Sequence, residues 1–143
     1  MQREIHIERF YAHPPERVWQ AITDPQALAA WYMPNDFEAR VGHRFTFRTD
    51  PAPGFDGLLH CEVIAVEPPQ RLAYTFKGGW MDRKTVVTWT LIAQDGGTLL
   101  RLEHTGFTEL SDPAIRTILE SGWGTFLPRL DAVLSGSADT AAP

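Results

Sequence analysis

Residues 113–134 carry one apolar stripe. Ile115, Ile118, Leu119, Trp123, Phe126, Leu127, Leu130, Val133 and Leu134 fall within about half the circumference of a helical wheel. The spacing predicts a single helix about 33 Å long, with Ser111 or Asp112 as cap and Pro113 in its first turn. A stripe of that length needs an apolar surface to lie on. The residues before it supply one, because their hydrophobic period is two.

Segments 36–41, 43–49, 58–68, 70–78, 84–94 and 98–107 all alternate and read as strands. The links Val41-Gly42, Pro68-Pro69-Gln70, Lys77-Gly78-Gly79 and Asp95-Gly96-Gly97 are too short for parallel crossovers, so antiparallel pairing is expected. The loop 49–57 is longer and carries Phe55 at its tip. Another strand is read at 3–12. Two short helices follow, 15–23 and 24–32, with Pro15 and Pro25 in their first turns and Thr23 or Asp24 capping the second. The result is an α+β fold: a curved sheet, seven strands in all, covered by the long C-terminal helix. One domain is expected over 1–134, with the small polar tail 135–143 disordered.

The long helix contains three residues that helices avoid. Gly124 and Pro128 lie on its polar side, four apart, so the carbonyl that the proline ring crowds belongs to a glycine. A proline there is expected to bend the helix around the sheet. Gly122 sits within the apolar stripe beside Leu119, Trp123 and Phe126. It marks either close packing on the sheet or a space between helix and sheet.

Alternation puts Phe45, Phe47, Leu72, Tyr74, Phe76, Val87, Trp89, Leu91, Leu100, Leu102 and His104 on one sheet face. Arg44, Arg48, Lys77, Thr88, Thr90, Arg101 and Glu103 fall on the other. The apolar face thus includes His104, and His60 is a second candidate for it. A histidine in such a place is either a hydrogen-bonded core residue or part of an apolar pocket with a few polar groups.

Other classes of function find little support. A formal charge of -5 speaks against nucleic acid or anionic membrane as partner. The lone Cys61 excludes an internal disulfide and an all-cysteine metal cluster, as a reducing compartment would favour. The first ten residues are charged, and no apolar run approaches the roughly 18 residues of a membrane span, so a cytoplasmic chain is expected. The five histidines show no H-x-x-x-H or H-E-x-x-H spacing, and G-x-S-x-G does not occur; neither metal nor cofactor is expected. Neighbours in a strand point to opposite faces, so Cys61 cannot share a site with both His60 and Glu62 and is read as structural. Trp80 and Met81, in the 78–83 hairpin, are either a lid over a cavity mouth or loop-to-core packing.

Several motifs occur in series. Ala12-His13-Pro14-Pro15-Glu16-Arg17-Val18-Trp19 is followed by Asp24-Pro25, Leu28, Trp31 and Pro34. Next come Val63 through Pro68 to Arg71-Leu72-Ala73-Tyr74-Thr75-Phe76, the V-T-W-T-L strand at 87–91, Leu102 to Phe107 as L-x-H-x-G-F, and Gly122, Trp123 and Leu127. Over roughly residues 4–134 this series resembles the SRPBCC (START-like, Bet v-like) superfamily. It is most similar to the branch of homologues of the C-terminal domain of the activator of heat-shock protein 90 ATPase. The resemblance implies a helix-grip fold, with a seven-stranded antiparallel sheet gripping the C-terminal helix around a hydrophobic cavity. It implies no single activity, because members bind lipids, hormones or polyketides and some are cyclases or hydrolases. The activators carry a further N-terminal domain that binds the chaperone. With strand one read at the start of the sequence, such a domain is not expected, and chaperone activation is not carried over from the resemblance, although a chaperone partner stays possible.

The expected function is therefore binding of a small hydrophobic or aromatic molecule between the long helix and the sheet. Its expected lining is Trp31, Phe37, Phe47, Phe55, His60, Tyr74, Phe76, Trp80, Trp89, Leu102, His104, Leu119, Gly122, Trp123 and Phe126. Two alternatives stand beside it. One is an enzyme of cyclase or hydrolase type acting on such a ligand with His104 as acid or base. The other is a chaperone-associated interaction domain. A monomer and a homodimer fit the sequence equally.

Overall fold

The computed structural model describes residues 5–51, 53, 56–78, 84–106 and 113–135, with backbone alone for 113–119. The order of elements follows the hydrophobic periods closely. Strand β1 (Ile5–Tyr11) leads into helices α1 (Pro15–Thr23) and α2 (Pro25–Trp31). Strands β2 (Arg44–Arg48), β3 (Leu58–Glu67), β4 (Arg71–Gly78), β5 (Thr85–Gln94) and β6 (Gly97–Thr105) follow, then helix α3 (Pro113–Leu134). All strand pairs are antiparallel, in the order β1-β6-β5-β4-β3-β2.

Local chemistry sets the element ends. Pro15 and Pro25 occupy first turns, where a missing N–H costs nothing. The Asp24 carboxylate accepts from the Ala27 N–H at 2.9 Å and caps α2. Asp95 and Gly96 both take positive φ, 51° and 76°, and turn β5 into β6 as a two-residue hairpin.

The sheet has six strands among the described residues, not seven. Segment 36–41 alternates but forms no strand; only Asn35 bridges, to Phe47. Side chains take the backbone bonds that a neighbouring strand would have taken. The Asn35 side-chain oxygen accepts from Phe37 N–H at 3.0 Å, and the Asp36 carboxylate accepts from the β2 amide of Thr46 at 2.8 Å. Phe37 still turns inward against Phe45, with ring centroids 5.0 Å apart, while Val41 stays exposed.

Strand β3 also carries an irregularity that its alternation did not announce. Val63 pairs with Tyr74 and Ala65 with Ala73, so Ile64 is the extra residue of a bulge. Beyond it the inward parity of β3 changes from odd to even positions, and Val66 faces Leu72.

Helix α3 lies against the inner face through Trp123, Leu127, Leu130, Val133 and Leu134, all buried. Gly124 and Pro128 are exposed, as their places on the wheel require. Tyr11 donates from its hydroxyl to Leu127 O at 3.3 Å, and Arg17 donates to Val133 O at 2.9 Å. These bonds tie β1 and α1 to the helix. The arginine meets carbonyls near a helix C-terminus, where positive charge is favoured. The tail 136–143 lies outside the described residues.

Gly106, just after β6, has φ 101°, and a Cβ there would stand 3.1 Å from Thr85 Cα. Gly106→Ala should therefore lower stability by about 1–3 kcal/mol, through strain and crowding together. Urea unfolding of the variant measures it, and an unchanged midpoint would show that the backbone relaxes freely.

Candidate functional site

The inner face of the sheet is largely aromatic. Trp31, Phe37, Phe47, Tyr74, Phe76, Trp89, Leu102, His104 and Trp123 are all buried, and all belong to one core with Ile5, Val87 and Leu100. Trp123 is its centre. Its ring stacks on Tyr32 at 5.1 Å and 10°, and meets Trp89 edge-on at 5.5 Å and 89°. Tyr32 in turn meets Phe47 at 4.7 Å and Phe126 at 4.6 Å, both edge-to-face. Trp31 lies edge-on to Trp89 at 6.0 Å. Such pairs are favourable because ring edges and ring faces carry opposite partial charge.

The indole N–H groups of Trp31, Trp89 and Trp123 have partners. Trp31 donates to Ala21 O at 2.8 Å, Trp89 to the Tyr74 hydroxyl at 3.1 Å, and Trp123 to His104 Nδ1 at 3.2 Å. The last bond assigns the His104 tautomer. An indole nitrogen can only donate, so Nδ1 is an acceptor and the ring proton sits on Nε2. Nε2 lies 2.7 Å from Thr85 Oγ1, whose own hydroxyl donates to Phe76 O at 2.8 Å. The chain Trp123 to His104 to Thr85 to Phe76 O therefore runs in one direction, every donor meeting an acceptor.

Electrostatics agree with that assignment. Burial penalises the imidazolium and pushes the His104 pKa down to about 3. Burial likewise pushes the Cys61 thiol and the Tyr32 and Tyr74 hydroxyls well above their ordinary values. The inner face is thus uncharged at neutral pH.

Other expected lining residues lie elsewhere. His60 is exposed on the outer face, because in this part of β3 the odd positions, Leu59, Cys61 and Val63, point inward. The expectation that it joins His104 is corrected. Phe126 is half-buried at the rim. Gly122 is half-buried too, and a Cβ on it would meet nothing within 4 Å among the described residues beyond its chain neighbours. Phe55, Trp80 and the Leu119 side chain lie outside the described residues. Among the described residues no group of three or more His, Cys, Asp or Glu could hold a metal ion. No described helix is long and apolar enough to cross a membrane.

Two residues absent from the expected lining join this ring cluster and its hydrogen-bond chain, Tyr32 and Thr85. Thr85 has the same parity as Val87 and Trp89, so alternation alone could have placed it beneath His104. Tyr32 follows Trp31 at the very end of α2, where wheel position gives no guidance.

An antiparallel sheet closed by one long C-terminal helix, with two short helices after the first strand, defines the helix-grip class of α+β proteins. The chain belongs to the family described as Activator of Hsp90 ATPase homolog 1-like protein, whose model matches residues 12–135. Protein MLL2253 from Mesorhizobium loti is 38% identical, with a TM-score of 0.83 over 93% of this chain and 97% of its own. CalU16 from Micromonospora echinospora is 26% identical, with a TM-score of 0.77 over 92% of this chain and 76% of its own. DynU16, from the dynemicin biosynthetic locus, is 24% identical with a TM-score of 0.79 over 94% of this chain and 48% of its own, and shares the fold. No curated protein matches the chain.

Proposed function

We propose that the chain binds a small apolar or aromatic molecule between α3 and the inner face of the sheet. The observation that carries this reading is Gly122. A helix interior disfavours glycine by about 1 kcal/mol relative to alanine. Here the glycine is half-buried, beside the central Trp123, at a point where a side chain would have open space around it. Room for a side chain beside a cluster of packed rings, with one satisfied polar node, is in keeping with a small-molecule site there. The fold shared with a protein of a biosynthetic locus is in keeping with that reading.

The geometry favours holding the ligand over transforming it. For His104 to act as acid or base, its ring would have to release Trp123 or Thr85. It would also have to take up a proton that burial withholds down to about pH 3. The chain is read as one ligand-binding domain over 1–134, without a metal or cofactor.

Gly122→Leu tests the reading. Native mass spectrometry of the purified protein should show a co-purified apolar molecule, and the variant should lose it while keeping its unfolding midpoint. A variant that binds as before would show that the space beside Trp123 is not the site. Retention of the wild-type chain on immobilised heat-shock protein 90, with no ligand found, would favour a chaperone partner instead.

A further inference from the structure

At the rim of the ring cluster, where Tyr32 and Phe126 reach the surface, a groove of about 430 Å³ opens between α3 and the connection from α2 into β2. Its lining includes the apolar side chains of Phe126, Met33 and Pro34 and the ring of Tyr32. Two arginines also line it: Arg48 from the end of β2 and Arg129 from α3, both exposed. Neither makes an ion pair among the described residues, and nor does the nearby Asp50. Arg40, Arg44, Arg71 and Arg101, by contrast, each have a carboxylate partner.

Neither arginine uses its side-chain donors among the described residues. Arg129 lies over the Phe126 ring, 5.2 Å from its centroid, a cation–π contact that leaves its N–H edges free to bond. The backbone N–H of Arg48 donates to Pro34 O at 3.0 Å, which fixes the root of that side chain against the groove wall. With Asp50 included, the groove carries one net positive charge in a chain whose total is -5. A single positive charge matches a monoanion better than a dianion, and the planar guanidinium fork matches a carboxylate.

We propose that this groove binds a small amphipathic carboxylate, its oxygens taken by Arg48 and Arg129 and its apolar body laid on Phe126 and Met33. The groove shares Tyr32 and Phe126 with the rim of the ring cluster, but the proposal does not depend on a ligand in the interior.

The probe is 2-naphthoate, titrated into the isotope-labelled full chain and followed by NMR. The controls are neutral 2-naphthylmethanol and inorganic phosphate. Naphthoate should shift the Nε–H signals of Arg48 and Arg129 and the Met33 methyl, and should bind more tightly than either control. Arg48→Gln and Arg129→Gln should each weaken it about threefold to tenfold, the range for exposed charge-assisted contacts, with unfolding midpoints unchanged. Wild-type affinity in both variants would overturn the proposal, as would equal binding of the alcohol. Tighter binding of phosphate would overturn the assignment to carboxylates. Shifts confined to the Trp123 and Trp89 indole signals would also overturn it, while supporting the interior site.

Discussion

Trp123→Ala should destabilise the fold by about 3–5 kcal/mol, the range for removing a large aromatic side chain from a packed core. The ring is 2% exposed and touches Tyr32, Trp89, Phe76 and His104, so its loss empties the point where α3, α2 and the sheet meet. Trp123→Phe separates the two parts of that effect. It keeps a ring but removes the N–H, leaving His104 Nδ1 without its indole donor in a buried site. Loss of a buried hydrogen bond costs about 1–3 kcal/mol, and the smaller ring adds some loss of contact. Urea unfolding of both variants measures the two quantities. A nearly neutral Trp123→Phe would show that the Trp123 to His104 bond contributes little, and that packing alone holds α3 down.

Much of this arrangement was legible in the chain, for identifiable reasons. The inward residues of β4, β5 and β6 follow from alternation, because central strands with one buried face leave no freedom of register. Both short helices start where a proline fits the first turn, and the long helix is set by its stripe. Expectation failed where a side chain competed with the backbone. Segment 36–41 has the alternation of a strand, yet Asn35 and Asp36 take up the amides of Phe37 and Thr46 and turn the chain into a loop. The bulge at Ile64 was equally hidden, since an extra residue leaves no mark on a short apolar run. His60 was misplaced by a doubtful parity, although Leu59 and Cys61 on either side point inward.

The site was harder to read than the fold because it depends on contacts across elements. Alternation identified His104 as an inward histidine but could not say what faced it. Its partners lie 19 residues away in both directions, Thr85 on the neighbouring strand and Trp123 on the helix. The Arg48 and Arg129 pair was invisible for the same reason, because nothing local links the end of β2 to the second half of α3.

The buried histidine also makes stability depend on acidity, with a definite sign. In the unfolded chain His104 has the ordinary value of 6.5, and in the fold burial lowers it to about 3. Above pH 6.5 both states hold the ring neutral. Between pH 6.5 and about 3 the unfolded state carries one more proton, so stability falls with falling pH at about 1.4 kcal/mol per unit. By pH 5 the loss should reach about 2 kcal/mol. His104→Gln removes this titration, since an amide takes no proton in either state. The variant should be less stable than the wild type at pH 8, because a glutamine cannot fill the ring's place between Trp123 and Thr85. Its deficit should then shrink by about 2 kcal/mol between pH 7 and pH 5. Urea midpoints for both proteins across that range give the comparison, with all other titrating groups common to the two. A deficit that stays constant would mean that His104 takes up its proton in the folded state near its ordinary value. The ring would then be open to solvent or ligand, and the case against an acid or base role would fall with it.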